Sequence, residues 1–425
     1  MNCNCKFNVF YSSCILYLAS CILIFFFVYL NSMIHPTTLK NRIHSIDILR
    51  GVAILGIGLV NILGFNASFF DFGGYYHSLE DPEELSFYTS FIALSADKFI
   101  FIFSFLFGYG VFLQYDRFEG SESGFNAFFK RRMLYLAMFG LTHIIFLWAG
   151  DILLMYAFAG MILFMLRKVP NKLIIILGTF FYFFISIWLL LSIWLPLPNA
   201  LSSTCNECLT DALSIYPVGN YFQCMKLRLI EYASFININL FYYLPKVLGV
   251  FFIGFLAGKL SLHKSIVNNY KRWFLIFCLL SVLAILVFLY YETAIIGIMP
   301  EGSKFMNTVY MAAYEFMNLL LAAAYILFIL LVSSNKWTQK LMMPFSYVGR
   351  MSLTNYIFQS LVFSFIFYGW GLGKFGMSNP STFIWYAVIL FIFQMFASYF
   401  WLRYRKQGPL EELWRKLSYK NLKKT

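Results

Sequence analysis

The chain is short of charge. Asp, Glu, Lys and Arg make up 12% of its 425 residues, about half the share of an ordinary soluble domain. A water-facing globule needs polar surface that this chain does not have, since 61% of it is hydrophobic and its mean hydropathy is +0.73. It also lacks any polar stretch long enough to fold around a core of its own. The longest gap between apolar segments, 196–243, is under 50 residues. Between Arg50 and Lys98 there is no Lys or Arg at all. The net charge of +13 is therefore no nucleic-acid footprint, because the basic residues sit in short loops and in the tail, as they do on the cytoplasmic side of membrane proteins. Histidine is missing from the one loop where three cysteines gather, Cys205, Cys208 and Cys224. A structural zinc site takes four ligands, so the C-x-x-C there reads better as a loop disulfide or free thiols than as a metal or redox centre.

What is present is a succession of apolar runs, each near the roughly 20 residues that cross a bilayer. They lie at about 10–30, 46–66, 91–114, 133–149, 152–166, 173–195, 244–260, 273–291, 309–332, 345–368 and 383–402. The implied fold is all-α, a polytopic integral membrane bundle with ten core transmembrane helices and one extra N-terminal helix. Charge assigns the sides. The loop with Asp71, Glu80, Asp81, Glu83 and Glu84 goes outside, and so does the one at 196–243. Arg117, Lys130, Arg131 and Arg132 go inside, as do Arg167, Lys168 and Lys172, the Lys259–Arg272 group, Lys336 and Lys340, and the basic tail 403–425. Ten helices starting from Arg42 inside return the chain inside. The outer loops are then about 67–90 and 196–243, and residues 33–425 form one transmembrane domain. Residues 1–32 stand apart as a signal anchor or as the product of a start placed upstream of Met33.

Ionisable groups within apolar spans cost free energy and are functional candidates. They are Asp47 and Arg50 at the start of the second segment, Asp97 and Lys98 in the third, His143 in the fourth, Asp151 at the start of the fifth, Glu315 in the ninth and Arg350 in the tenth. Asn61 follows Arg50 by eleven residues, as His143 follows Arg132, which sets both about 16 Å into the membrane at 1.5 Å per residue. This spacing predicts an outward-opening polar cavity with His143 near its floor, approached by Asp97, Lys98, Asp151 and Glu315. A second cluster of Asp47, Arg50 and Arg350 is expected on the inner side. The plain alternatives are interhelical packing bonds for His143 and Asn61 and snorkelling for the arginines. The tail helix begun by Gly408-Pro409 carries an apolar side, Leu410, Leu413, Trp414 and Leu417, that suits either the membrane surface or a cap on the bundle.

Three stretches carry a resemblance: Arg42–Gly51 with Val60-Asn61-Ile62; Asp97-Lys98-Phe99, Phe103–Gly110, Gly140–His143 and Gly150–Leu153; and Val348–Tyr356, which includes Arg350 and Asn355, with Gly408–Glu411. Together they resemble the YeiB-like family of bacterial multi-pass membrane proteins, whose C-terminal half is named as a domain of unknown function. The Asp-x-x-Arg-Gly opening also resembles transmembrane acyltransferases. Polysaccharide acyltransferases have a histidine where this chain has Asn61; the heparan-glucosaminide acetyltransferase group has an asparagine there and a histidine in the following lumenal segment, where this chain has His77. The resemblance implies an acyltransferase of the bacterial inner membrane with a cytoplasmic C-terminus. It moves an acyl group from an acyl-CoA-type donor, used as substrate with no tightly bound cofactor, to a glycan or small-molecule hydroxyl or amine outside. In that reading Asp47, Arg50 and Arg350 hold the donor, His143 or His77 acts as base with Asp151 and Asn61, and Asp97, Lys98, Glu315 and Asn355 support the site. The bilayer is the partner and nucleic acid is not. A transporter of a small polar solute, or a non-catalytic scaffold, uses the same residues differently.

Overall fold

Few residues in the spans can satisfy a backbone from outside, so the chain closes its hydrogen bonds within helices. The computed structural model describes residues 43–68, 75–76, 79–118, 121–197, 208–290, 304–377 and 379–420, and among them there is no strand. The extra N-terminal segment, His77 and Cys205 lie outside the described residues, as does the Cys208 side chain.

The helices are α1 (His44–Asn66), α2 (Pro82–Ser95), α3 (Lys98–Arg117), α4 (Glu122–Phe146), α5 (Leu153–Leu166), α6 (Asn171–Tyr182), α7 (Phe184–Leu191), α8 (Cys208–Ile215), α9 (Tyr221–Ser234), α10 (Ile236–Lys259, with a π turn at Asn239–Tyr243), α11 (Leu262–Asn268), α12 (Tyr270–Tyr290), α13 (Lys304–Val332), α14 (Lys336–Leu341), α15 (Met343–Arg350), α16 (Ser352–Phe367), α17 (Pro380–Tyr404) and α18 (Pro409–Tyr419). Among the described residues six spans are long and apolar enough to cross a bilayer, or seven if α6 and α7, bent by 60° to each other, make one; α5 and α16 are apolar but shorter. The expected ten are thus not all present as unbroken spans. The tenth segment breaks at Met351 into α15 and α16, whereas the third lies within a single 36-residue span, Pro82–Arg117, in which α2 passes into α3 at Asp97 with φ +65°. The loops expected at 67–90 and 196–243 contain α2 and the pair α8 and α9, and α9 buries Cys224, Leu227, Arg228 and Glu231.

Close packing rests on small residues, as in membrane bundles generally. At the α1–α15 contact a Cβ on Gly349 would overlap the Asp47 carbonyl, and one on Gly51 the Phe345 carbonyl. α12 is the opposite case: Ala284 is its buried residue, and Leu275, Leu279, Ile285 and Leu286 are all more than half exposed. A helix so bare of polar cover suits lipid. The tail helix α18 packs against the bundle, as the cap alternative expects. Leu410 and Trp414 pack on the core, the Trp414 indole donates to the Arg132 carbonyl at 2.8 Å, and the Arg132 guanidinium sits 3.5 Å from the Trp414 ring, within cation–π range.

Candidate functional site

α4 ends at Phe146 and the chain reverses within a few residues, so Asp151 comes back beside the helix it has just left. Gly140 allows this. A Cβ there would lie 2.4 Å from the Leu154 nitrogen and 2.8 Å from Asp151 Oδ1, closer than real atoms stand. Asp151 uses both carboxylate oxygens. Oδ1 accepts from the Leu154 N–H at 2.8 Å, holding the positive end of α5. Oδ2 lies 3.0 Å from His143 Nδ1. That distance is an ion-pair contact, but its angle is too bent for a linear hydrogen bond. The other ring nitrogen, Nε2, is 2.8 Å from Ser360 Oγ on α16. All three side chains are buried, and the imidazole packs against the Tyr356 ring at 5.1 Å.

The proton positions follow from the neighbours. A carboxylate beside Nδ1 keeps the proton on Nδ1 and leaves Nε2 as an acceptor. Ser360 has one proton and two takers, Nε2 at 2.8 Å and the Tyr356 carbonyl at 3.3 Å; the nearer is the imidazole. The array therefore runs hydroxyl to imidazole to carboxylate, the order that lets an imidazole accept a hydroxyl proton.

Asn61 is half-buried on α1 and makes no hydrogen bond to this group. The ends of α1 and α4 are level, since Phe65 stacks on Trp148 at 4.3 Å. Asp97, Lys98 and Glu315, expected in the same cavity, form a separate group around Lys246. Lys246 Nζ lies 3.0 Å from Asp97 Oδ2 and 2.8 Å from Glu315 Oε2, and the Tyr242 hydroxyl donates to Glu315 Oε1 at 2.6 Å. The Lys98 ammonium is buried without a hydrogen-bond partner, 5.9 Å from the Tyr314 ring. At the other end of α1, Asp47 and Arg50 pair at 3.0 Å. Arg350 follows the Gly349 that rests on Asp47 and donates to the Lys406 carbonyl at 3.0 Å. Asn355 bonds Ser398 at 3.1 Å and ties α16 to α17.

Sequence reading missed Ser360, Lys246 and Arg228. Lys246 lies inside an apolar run and meets the same criterion as Glu315. Arg228 sits in a stretch taken for a loop. Ser360 cannot be found that way, because an uncharged hydroxyl in a helix has no cost large enough to flag it.

Residues 257–421 match the family described as protein of unknown function (DUF418). Over 420 residues the chain is 28% identical to the uncharacterized protein YxaH of Bacillus subtilis (strain 168), covering 91% of this chain and 97% of the relative. It is 26% identical over 399 residues to the uncharacterized protein YeiB of Escherichia coli (strain K12), covering 88% and 95%. Over most of its length the chain is thus similar to YeiB-like proteins. An uncharacterized 39.9 kDa protein in the amylase 3′ region of Bacillus acidopullulyticus is 27% identical over 401 residues, covering 90% of this chain and 96% of its own. The DUF418 match takes in Glu315, Arg350 and Ser360, whereas His143 and Asp151 precede it.

Proposed function

We propose that this protein is a membrane acyltransferase that moves an acyl group from a thioester of the acyl-CoA type to an outward-facing hydroxyl or amine. The observation that carries the reading is the buried array of Asp151, His143 and Ser360, with His143 Nε2 at 2.8 Å from a hydroxyl. In this reading the acceptor's O–H or N–H takes the place of Ser360 Oγ at Nε2. His143 removes its proton as the acceptor oxygen or nitrogen attacks the thioester carbonyl. The new C–O or C–N bond forms, the C–S bond breaks, and the proton passes from His143 to the departing thiolate. Asp151 is a positioning residue that holds the ring and stabilises its charged form. Asp47, Arg50 and Arg350 gather near the α1–α15 contact, where arginine forks suit donor phosphates; in this reading that end faces the cytoplasm of a bacterial inner membrane, which the positive-inside pattern supports. Acyl-CoA is substrate here, and the acceptor is a glycan or small molecule.

Proteoliposomes with acetyl-CoA on the Arg50 side test it. Thiol release that depends on an acceptor on the opposite side, and that His143→Ala abolishes while the protein still inserts, is the expected result. Acceptor-independent or His143-independent release refutes it. A second reading, transport of a small polar solute, is favoured by one observation: Lys246, Asp97 and Glu315 converge at the irregular α2–α3 junction, where Asp97 has φ +65°, and where α10 has its π turn. Broken helices meeting at buried charges are how transporters bind solutes. Acceptor-independent solute flux in the same proteoliposomes would select that reading.

A further inference from the structure

α9 covers the end of α4 that carries the His143 array. The Tyr221 hydroxyl donates to the Phe146 carbonyl at 2.8 Å, Tyr232 lies near enough to Asp151 to feel its charge, and between them stands Arg228. Its side chain is fully buried. Nη1 donates to the Ile145 carbonyl at 2.9 Å, two residues beyond His143. Nε and Nη2 have no hydrogen-bond acceptor, and no carboxylate lies within ion-pair distance of the guanidinium among the described residues. Glu231, one turn along α9, is engaged elsewhere: Oε1 accepts from Ser68 at 2.8 Å and Oε2 from Tyr216 at 2.5 Å. The Tyr368 ring flanks the guanidinium at 5.6 Å; the hydroxyls of Tyr221 and Tyr368 come near enough to interact with it, but neither meets hydrogen-bond geometry with Nε or Nη2.

An arginine used only to clamp α9 onto α4 needs its Nη1 contact and nothing more. Two further donors left bare in the interior are costly, and Nε with Nη2 is an edge of the guanidinium that grips two oxygens of one oxyanion side by side. Ile145 sets this edge close to His143 along the same helix. We propose that the Nε–Nη2 edge of Arg228 receives an oxyanion, a carboxylate or phosphate group of the acyl acceptor, at the face of the His143 site that α9 covers. The proposal rests on the acyltransferase reading for the word acceptor and on Arg228 alone for the oxyanion. The acceptor class is then anionic, such as a uronate or phosphorylated sugar in solution or an acidic lipid headgroup.

Full-length protein in uncharged detergent, without acyl donor, is titrated with inorganic phosphate and with glucuronate, and the protein in nanodiscs of phosphatidylglycerol is compared with phosphatidylcholine. Saturable binding of a soluble probe to the wild type, weakened about tenfold or more in Arg228→Gln by loss of charge-assisted hydrogen bonds and unchanged in His143→Ala, supports a soluble acceptor. Stabilisation by phosphatidylglycerol alone, lost in Arg228→Gln, supports a lipid one. Arg228→Lys keeps the charge and loses the fork, so it should bind severalfold more weakly than the wild type, and it decides the question if Arg228→Gln does not fold. No binding of any probe to the wild type, or equal binding by Arg228→Lys, overturns the proposal. Binding without acyl transfer leaves the Arg228 site and removes the acyltransferase. Transfer to an uncharged alcohol, with no anion binding, does the reverse.

Discussion

The His143 group and the Lys246 group are both buried among apolar helices, and they are built differently. Around Lys246 two carboxylates share one ammonium, with tyrosine hydroxyls filling the remaining positions. The bonds there join α3, α10 and α13, and with Lys98 as the second cation near Asp97 the charges balance only while every member is present. Around His143 a single carboxylate faces an imidazole that faces a hydroxyl. That group can pass a proton along without creating a net charge in the interior. The first arrangement suits holding helices or following an ion; the second suits moving a proton to or from a substrate. Substitutions that separate holding from chemistry distinguish them.

The largest effect is expected from Lys246→Met, which strands Asp97 and Glu315 without their cation. Breaking a buried ion pair from one side costs about 3–5 kcal/mol, so the variant should unfold well below the wild type in detergent. Lys246→Met with Glu315→Gln should recover most of that loss, because removing both partners leaves Asp97 with Lys98. If the double variant is no more stable than the single one, charge balance is not what holds this group.

His143→Ala should separate stability from turnover. Interhelical hydrogen bonds in membrane proteins average about 0.6 kcal/mol each, so losing the bond to Ser360 moves the melting temperature little, while the Asp151 carboxylate keeps its bond from the Leu154 N–H. Loss of a general base lowers turnover by about 10²–10⁴-fold. A large melting shift with unchanged turnover would make His143 a packing residue. Gly140→Ala should be intermediate in both measures. Its methyl meets the Leu154 nitrogen and Asp151, and overpacking of that kind costs about 1–3 kcal/mol. Because it displaces the positioning carboxylate, it should lower kcat more than it raises KM, and Asp151→Asn should share that signature.

The smallest effect lies at α18. Glu411 accepts from the Leu353 and Thr354 N–H groups and from the Thr354 hydroxyl, at 2.7, 3.0 and 2.6 Å. Burial nevertheless raises its pKa above the ordinary 4.5, more than these hydrogen bonds lower it. A raised folded-state pKa means the fold prefers the protonated acid. The stability it contributes is present below the unfolded value and is lost as pH rises through the folded one. Docking of α18, followed by fluorescence of Trp414, should therefore weaken slightly as pH rises from about 4. Glu411→Gln should flatten that dependence, and an unchanged slope would assign it to another group.

Much of this was legible beforehand, and for definable reasons. Apolar length gave the all-α membrane class, and the cost of intramembrane charge picked out His143, Asp151, Asp97 and Glu315 one at a time. The pairing of His143 with Asp151 was expected from the short turn between their helices; the gathering of Asp97 and Glu315 around Lys246, and the approach of Ser360, were not legible. His143 and Asp151 are eight residues apart, about 12 Å along a continuous helix, and only the early end of α4 and the small Gly140 bring them together. Ser360 reaches the site across 217 residues of chain, a closure that no local pattern encodes. The irregular backbone at Asp97 and the break at Met351 were also hidden, because apolar composition continues through both.

The most direct test compares acyl transfer by two variants under identical conditions, His143→Ala and the charge-balanced Lys246→Met with Glu315→Gln. Acceptor-dependent thiol release should vanish in the first and persist in the second. Release that persists without His143 and vanishes with the Lys246 group would contradict the account and move the chemistry to α3, α10 and α13.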